Sequence, residues 1–493
     1  MKIEMPESVV EIINTLKSSG YDAYVVGGCV RDSIMNRNPN DWDITTSAKP
    51  YEIKALFHKT IDVGIEHGTV SVVFGSTQYE VTTYRVDGEY IDNRHPDSVT
   101  FTAILDEDLV RRDFTINAMA YNDEDGIKDP FDGQKDIEAK VIRCVGDPNE
   151  RFQEDALRML RAIRFSAQLD FNIDPNTYKA IKNNSHLIKN ISVERIRDEI
   201  TKIIMSDSPE KFLMLYDTGL LKYIMPEFIP NINCPQNSPW HKYTVDEHII
   251  RTVINIENRF DLRWTMLLHD IGKAKSRFRD EKGIDHFWHH PEEGAVLAEQ
   301  ILKRLNFDNF NANKIVRLIK YHDVNMSLEG SELRKMISVI GVDIFDDILK
   351  VMNADDSAKA EVVWIENREK NDAIKKAFEM FKNNKYCLTR RQLAITGDDL
   401  IYLGYEQGQT IGQTLEYLFN LVLEKPELND EEELKEIARK HLIEIKKTEG
   451  VNPEEYEFQI IVHDEKEDNT PIMFKSKDES EMDNLKTRED EDW

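Results

Sequence analysis

The hydrophobic pattern changes period near residue 140, and this constrains the fold of the 493-residue chain more than any other feature. Before that point, short β-branched and aromatic runs (Tyr24-Val25-Val26, Val70-Ser71-Val72-Val73-Phe74, Tyr79-Glu80-Val81-Thr82-Thr83, Val99-Thr100-Phe101) are separated by Gly, Asp and Asn turns, as in strands. After it, stretches such as RFQEDALRMLRAIRFSAQL and VERIRDEITKIIM carry apolar residues every three to four positions, as in helices. The pattern predicts an α+β chain with an N-terminal head built on a small mixed sheet and all-α segments behind it. The boundaries read as a head over 1–140, a helical stretch over 141–235, a His-rich helical region over 236–385 after the Pro-containing break NINCPQNSPW, a closing helical segment over 386–448, and an acidic tail over 449–493. The tail from 451 onward holds 15 Asp and Glu against 5 Lys and Arg, with little periodicity, so it is expected to lack a packed core.

Composition narrows the function. No run approaches the roughly 20 apolar residues that span a bilayer, so no membrane partner is expected. The N-terminal stretch reads as an amphipathic helix and lacks the features of a secretory signal, which makes the cytoplasm the expected compartment. Cys29, Cys144, Cys234 and Cys387 are scattered, without the spacing of a disulfide framework or zinc ribbon. A net charge of −28 argues against coating nucleic acid by bulk electrostatics, so any RNA-binding surface must be a local basic face.

The first chemical constellation is Val26-Gly27-Gly28-Cys29-Val30-Arg31-Asp32 followed by Asp41-Trp42-Asp43. Two glycines between a strand and a helix let backbone N–H groups approach phosphate oxygens. Asp41 and Asp43, two apart on a strand, would project from one face and could hold Mg²⁺ against a triphosphate. Taken singly these are common surface features; their order and spacing make them specific. VGGCVRD with DWDITT resembles the nucleotidyltransferase core shared by bacterial CCA-adding enzymes and poly(A) polymerases. The resemblance continues through HGTVSVVF, YEVTTYR, DLVRRDFTINAMA, EDALRMLRAIRFSAQL and ISVERIRDEI. It implies that Asp41 and Asp43 bind catalytic Mg²⁺, that Gly28 and Arg31 meet the nucleotide phosphates, and that Arg112 and Asp113 contact the nucleotide. Glu80 is a candidate third acid.

In EDALRMLR, Asp155 and Arg158 stand three apart, neighbours on one helix face, and a surface ion pair is the ordinary reading of such a pair. The family motif favours another. A carboxylate accepts from an exocyclic amino group while a guanidinium donates to a ring nitrogen, a pattern that cytosine and adenine satisfy and guanine and uracil reverse. The resemblance implies that this pair selects CTP and ATP, with Arg161 and Arg164 also reaching the nucleotide. The stretch TTYRVDGEYIDNRHPDSVTF is similar to the full-length flexible loop of CCA-adding and A-adding members, with His95 where the family usually has Arg.

The histidines of the second half are patterned: His248, His269-Asp270, His290 and His322-Asp323. Imidazoles and carboxylates on neighbouring helices suit a transition metal. With Gly272-Lys273 behind the His-Asp pair, they resemble the HD phosphohydrolase superfamily. That resemblance assigns His248, His269, Asp270 and Asp323 to a basic metal set and His290 and His322 to a second metal, with His289 a competitor of His290 and His241 and His286 bystanders. It implies a divalent metal that hydrolyses phosphate esters, or a domain that keeps the ligands for stability. The closing segment LAITGDDLIYLGYEQGQTIGQTLEYLFNLVLE is similar to the tRNA-holding tail of CCA-adding enzymes. The leading expectation is CCA addition to tRNA from CTP and ATP, with no obligate protein partner. The alternatives are a poly(A) polymerase or A-adding relative, and an HD phosphohydrolase whose head merely binds nucleotide.

Overall fold

The computed structural model describes residues 2–88 and 98–448. Most of the stretch compared with the family's loop, with His95, and the acidic tail therefore lie outside the described residues. The described residues divide into two compact units: those up to 328 with 340–380, and 329–339 with 381–448.

The first unit opens with the head. Its strands are β1 (Ala23–Val26), β2 (Ile44–Thr46), β3 (Thr60–Gly64), β4 (Thr69–Phe74), β5 (Thr77–Thr83), β6 (Arg85–Asp87), β7 (Val99–Phe101), β8 (Ala120–Asn122) and β9 (Gly126–Lys128). Seven of them form a mixed sheet in the order β3-β4-β5-β2-β1-β8-β9, while β6 and β7 pair with each other. The predicted β-branched runs supply these strands because alternate residues can be buried: Val70, Val72 and Val81 are almost fully enclosed. β1 runs antiparallel to β2 and β8, and β2 runs parallel to β5, with Val25 opposite Ile44 and Ile44 opposite Val81. The end of β1 and the start of β2 thus meet at one end of the central strands, which brings the glycine turn beside the acid pair.

Behind the head, helices span Pro148–Glu154, Leu157–Leu169, Pro175–Asn184 and Val193–Ile204. Where the sequence suggested one helix through EDALRMLR, the backbone breaks. Asp155 takes φ −134° and ψ 103°, and its carboxylate accepts from Leu157 N–H at 3.0 Å. An Asp that caps the next helix with its own side chain competes with helix continuation. Asp155 and Arg158 therefore are not neighbours on one continuous helix face.

The His-rich region is built from helices Val245–Asn255, Phe260–Leu268, His290–Arg304, Asn309–Tyr321 and Phe345–Ser357. Trp264, Leu267, Leu268, Ala298, Ile301 and Leu318 are fully buried between them. Asp308 starts one of these helices by accepting from Asn311 N–H at 2.9 Å. Gly272 is required by a close approach: a Cβ there would stand 2.5 Å from the His290 carbonyl oxygen and 2.7 Å from Gly294 N.

In the second unit, helices Gly397–Tyr402, Gln409–Glu424 and Glu431–Thr448 enclose Leu400, Leu418, Phe419, Val422, Leu434, Ala438 and Leu442. Helix Gly330–Ile340 contributes most of its length to this unit, and Arg334 donates to the carbonyls of Leu423 and Glu424. No described helix is long and apolar enough to cross a membrane.

Candidate functional site

The head site forms where β1 ends. Gly27 has φ +80°, a left-handed conformation, and a Cβ there would meet Arg112 Nη1 at 3.0 Å. Gly28 opens the following helix. Asp41 and Asp43 lie on the segment leading into β2, held to β1 by the Val26 N–H donating to the Asp43 carbonyl at 3.0 Å. Because Ile44 pairs with Val81, the preceding residues Asp43 and Glu80 come side by side. The electrostatics agree. The protein packed around Asp43 raises its carboxyl, Arg112 pulls it back, and the negative charges of Glu80 and Asp41 push it up again. Three carboxylates that repel one another at the end of the central strands are arranged to receive a cation.

Cations converge opposite them. Arg31 donates to Asn117 Oδ1 at 2.7 Å and to Asp32 at 2.9 Å. Arg161 bonds Asp113 Oδ2 at 2.7 Å, and Asp113 Oδ1 accepts from Phe114 N–H and Asn117. Burial would raise the Asp113 carboxyl, but Arg161 and the donated hydrogen bonds win and hold it at about 2. Arg164 donates to Glu199 at 3.0 Å, and burial followed by the like charge of Arg161 lowers it to about 10. Arg31, Arg161 and Arg164 all lie over the ring of Phe165, at 5.3, 5.3 and 4.2 Å from its centroid. Phe165 and Glu199 carry no signal in the sequence beyond an apolar helix position and one acid among several; only packing reveals their place.

Asp155 and Arg158 are each held by partners of their own. Asp155 takes Arg195 at 3.1 Å as well as the Leu157 N–H. Arg158 is buried, with Glu154 and the carbonyls of Arg151 and Arg111 around its guanidinium.

In the His-rich region, two ligand clusters share one carboxylate. The ligand atoms of His248, His269, Asp270 and Asp355 lie within 4.8 Å of one another, as do those of Asp270, His290 and His322. One oxygen of Asp270 faces His248 and His269 at 3.2 and 3.3 Å, and the other faces His290 and His322 at 3.3 and 3.5 Å. The Nδ1 atoms of His269, His290 and His322 bond the backbone carbonyls of Met266, Phe287 and Ile319 at 2.7–2.8 Å. That contact fixes the tautomer and turns the Nε2 lone pairs toward the cluster. Nε2 atoms then face each other at 3.4 Å (His248 and His269) and 3.2 Å (His290 and His322). Both Asp270 oxygens are buried without a hydrogen-bond partner of sound geometry, although Lys273 Nζ lies 2.6 Å from one. Inward lone pairs and an orphaned buried carboxylate fit divalent metal ions.

Asp323 does not join either cluster. It follows the end of helix Asn309–Tyr321 and is exposed, its charge acting on Lys359. Asp355, buried in helix Phe345–Ser357, takes the place expected for it, 2.8 Å from His248 Nε2. The sequence signal for Asp355 was an acidic pair, Asp355-Asp356, within an otherwise core-facing helix turn. His241 and His286, expected as bystanders, and the exposed His289 stand outside both clusters.

Comparison with known proteins agrees with this architecture. Residues 23–143 match the poly A polymerase head domain, 170–231 the probable RNA and SrmB-binding site of polymerase A, and 245–357 the HD domain. The CCA-adding enzyme of Ligilactobacillus salivarius is 36% identical over 89% of this chain and 97% of its own length. That of Lactobacillus helveticus is 52% identical, over 44% of this chain; the chain spans about half (54%) of that relative's length. The Bacillus stearothermophilus CCA-adding enzyme, solved in complex with CTP, superposes with a TM-score of 0.67 at 28% identity, over 90% of this chain and all of that one. The chain belongs to the family of CCA-adding enzymes, tRNA nucleotidyltransferases.

Proposed function

We propose that this chain rebuilds the 3′-terminal CCA of tRNA from CTP and ATP without a nucleic-acid template. The observation that carries this reading is the meeting, at one end of the central strands, of Asp41, Asp43 and Glu80 with the Gly27-Gly28 turn and the cations Arg31 and Arg112. Asp41 and Asp43 would hold Mg²⁺, which neutralises the triphosphate and lowers the barrier to attack by the tRNA 3′-hydroxyl as pyrophosphate leaves. The chain's own residues do the rest. The glycine turn lets phosphate oxygens approach the backbone, and Arg31 and Arg161 balance their charge. Asp155 accepts from the exocyclic amino group of C or A while Arg158 donates to the adjacent ring nitrogen. The second unit contacts the tRNA.

Incubating the protein with tRNA lacking CCA, CTP and ATP, then sequencing the product ends, tests the proposal. C, C and one A are expected, and Asp43→Ala abolishes addition. Long A tails, or addition only to tRNA already ending in CC, would point to the poly(A) or A-adding alternative.

A second reading concerns the HD region. His248, His269, Asp270 and Asp355 would hold one divalent transition metal and Asp270, His290 and His322 another, supporting hydrolysis of phosphate esters. Release of p-nitrophenol from a phosphodiester analogue with Mn²⁺ or Ni²⁺ is expected, and His269→Ala removes it; unchanged release in that variant contradicts the assignment.

A further inference from the structure

A cavity of about 420 Å³ opens over the HD ligands, within the size range of small-molecule sites. His290 and Asp355 of the ligand set line it, together with Lys273 and Lys359. Both lysines are largely enclosed: Lys273 reaches Asp270 at 2.6 Å and Gln236 at 3.0 Å, and Lys359 reaches Asp355 at 2.7 Å and Asp356 at 3.1 Å. Asp285 and Asp323 line the cavity as well, so both lysines face carboxylates, and this end suits a phosphate when the ligand set holds its metal.

The rim has a different chemistry. Trp240 and Trp288 line it and are 49% and 61% exposed. Trp288 stacks on His286 (centroids 5.0 Å apart, planes at 24°) and on Phe278 (5.5 Å, 21°), itself 51% exposed. Single exposed aromatics are ordinary, but a three-ring stack at the mouth of a polar cavity is not.

The platform is also rigid. Phe278 and His286 are register partners in a two-stranded hairpin, Phe278–Arg279 with Asp285–His286. The buried Asp285 pins that hairpin, accepting from Arg277, Arg279 and both the backbone and side chain of Asn237. Next to Trp288, His289 is a non-glycine residue at φ +62°, a left-handed backbone that is retained where the surroundings enforce it.

We propose that Trp288 is the base-stacking platform of the HD cavity, so that the cavity takes a nucleoside phosphate: the flat base on Trp288, the phosphate toward Lys273, Lys359 and the metal ligands. The inference rests on the HD metal reading above. The nucleoside phosphate could be free or stand at an RNA 3′ end. Base–aromatic stacking contributes about 1–3 kcal/mol, which sets the expected effect near tenfold or more in affinity.

The test is calorimetric titration of the Mn²⁺-loaded full chain, carrying Asp43→Ala to silence nucleotide addition. The ligands are a nucleoside 3′-monophosphate, a short oligonucleotide ending in a 3′-phosphate, and inorganic phosphate. At least one nucleotide ligand is expected to bind at least tenfold tighter than phosphate. Trp288→Ala should erase that advantage while leaving the phosphate affinity unchanged, and Trp288→Phe should retain it. Preference for the oligonucleotide identifies the RNA end as the source, and preference for the mononucleotide identifies a free nucleotide. A nucleotide affinity unmoved by Trp288→Ala, or a loss shared equally by inorganic phosphate, overturns the proposal. Mn²⁺ uptake, compared between the parent and His269→Ala, tests the metal centre separately. Should the chain take up no Mn²⁺, the metal reading fails, while the Trp288-dependent titration on the metal-free chain still decides the platform.

Discussion

At the scale of single residues, the site is a set of charges held in place by other charges. Asp113 shows the balance most clearly. Its folded carboxyl titrates at about 2, below the roughly 3.9 of an unfolded Asp, so its contribution is present above pH ~4 and is lost as pH falls toward 2. The shift corresponds to roughly 2–3 kcal/mol. The melting deficit of Asp113→Asn relative to the parent should be level from pH 7 to 5 and narrow below pH ~4, measured by thermal melts across that range. Asp155 allows a test of selection. Asp155→Ala removes the proposed acceptor for the exocyclic amine, and the preference for CTP over UTP in kcat/KM should fall by roughly 10- to 100-fold, as for loss of a charged hydrogen bond. Equal loss for both nucleotides would make Asp155 a cap and nothing more.

At the scale of elements, the sequence located most of what the fold uses. The β-branched runs became strands of the head, and the helical periods became helices. The side chains of His248, His269, Asp270, His290 and His322, the candidate ligands, lie together because neighbouring helices bring them together. Two expectations failed for physical reasons. The apolar period through EDALRMLR continues across Asp155, so a period cannot reveal that the Asp side chain would cap Leu157 and break the helix. Asp323 follows a histidine as Asp270 does, but adjacency in sequence does not set burial; Asp355, from a helix 32 residues on, fills the cluster instead. Gly272 gives the element-scale prediction. Its missing Cβ lets the start of helix His290–Arg304 pass close to the His269-Asp270 turn. Gly272→Ala should destabilise by about 1–3 kcal/mol through overpacking and weaken Mn²⁺ binding, read by thermal melts with and without metal. Full metal affinity in this variant would show that the approach does not set the ligand geometry.

At the scale of the whole molecule, the acidic balance bears on RNA binding. With a net charge of −28, the proposed contact with tRNA would depend on local cations, and even two or three phosphate contacts would raise the KM for tRNA by about tenfold or more between 50 and 200 mM salt. A flat profile would indicate recognition by shape and hydrogen bonds alone. Metal removal separates the parts of the chain: EDTA should lower the melting of the first unit, since at 100 Kd a bound ion contributes about 2.7 kcal/mol, and leave the second unit unmoved.

The path of the backbone between the two units has a practical side. The chain leaves the first unit after residue 328, returns at 340 and leaves again after 380. No single cut therefore yields two intact pieces. Truncation at 380 would strand the helix beginning at Gly330 without the partners of Arg334, whose guanidinium donates to the carbonyls of Leu423 and Glu424. Such a fragment should aggregate, whereas a clean excision would have to remove two separate stretches of chain.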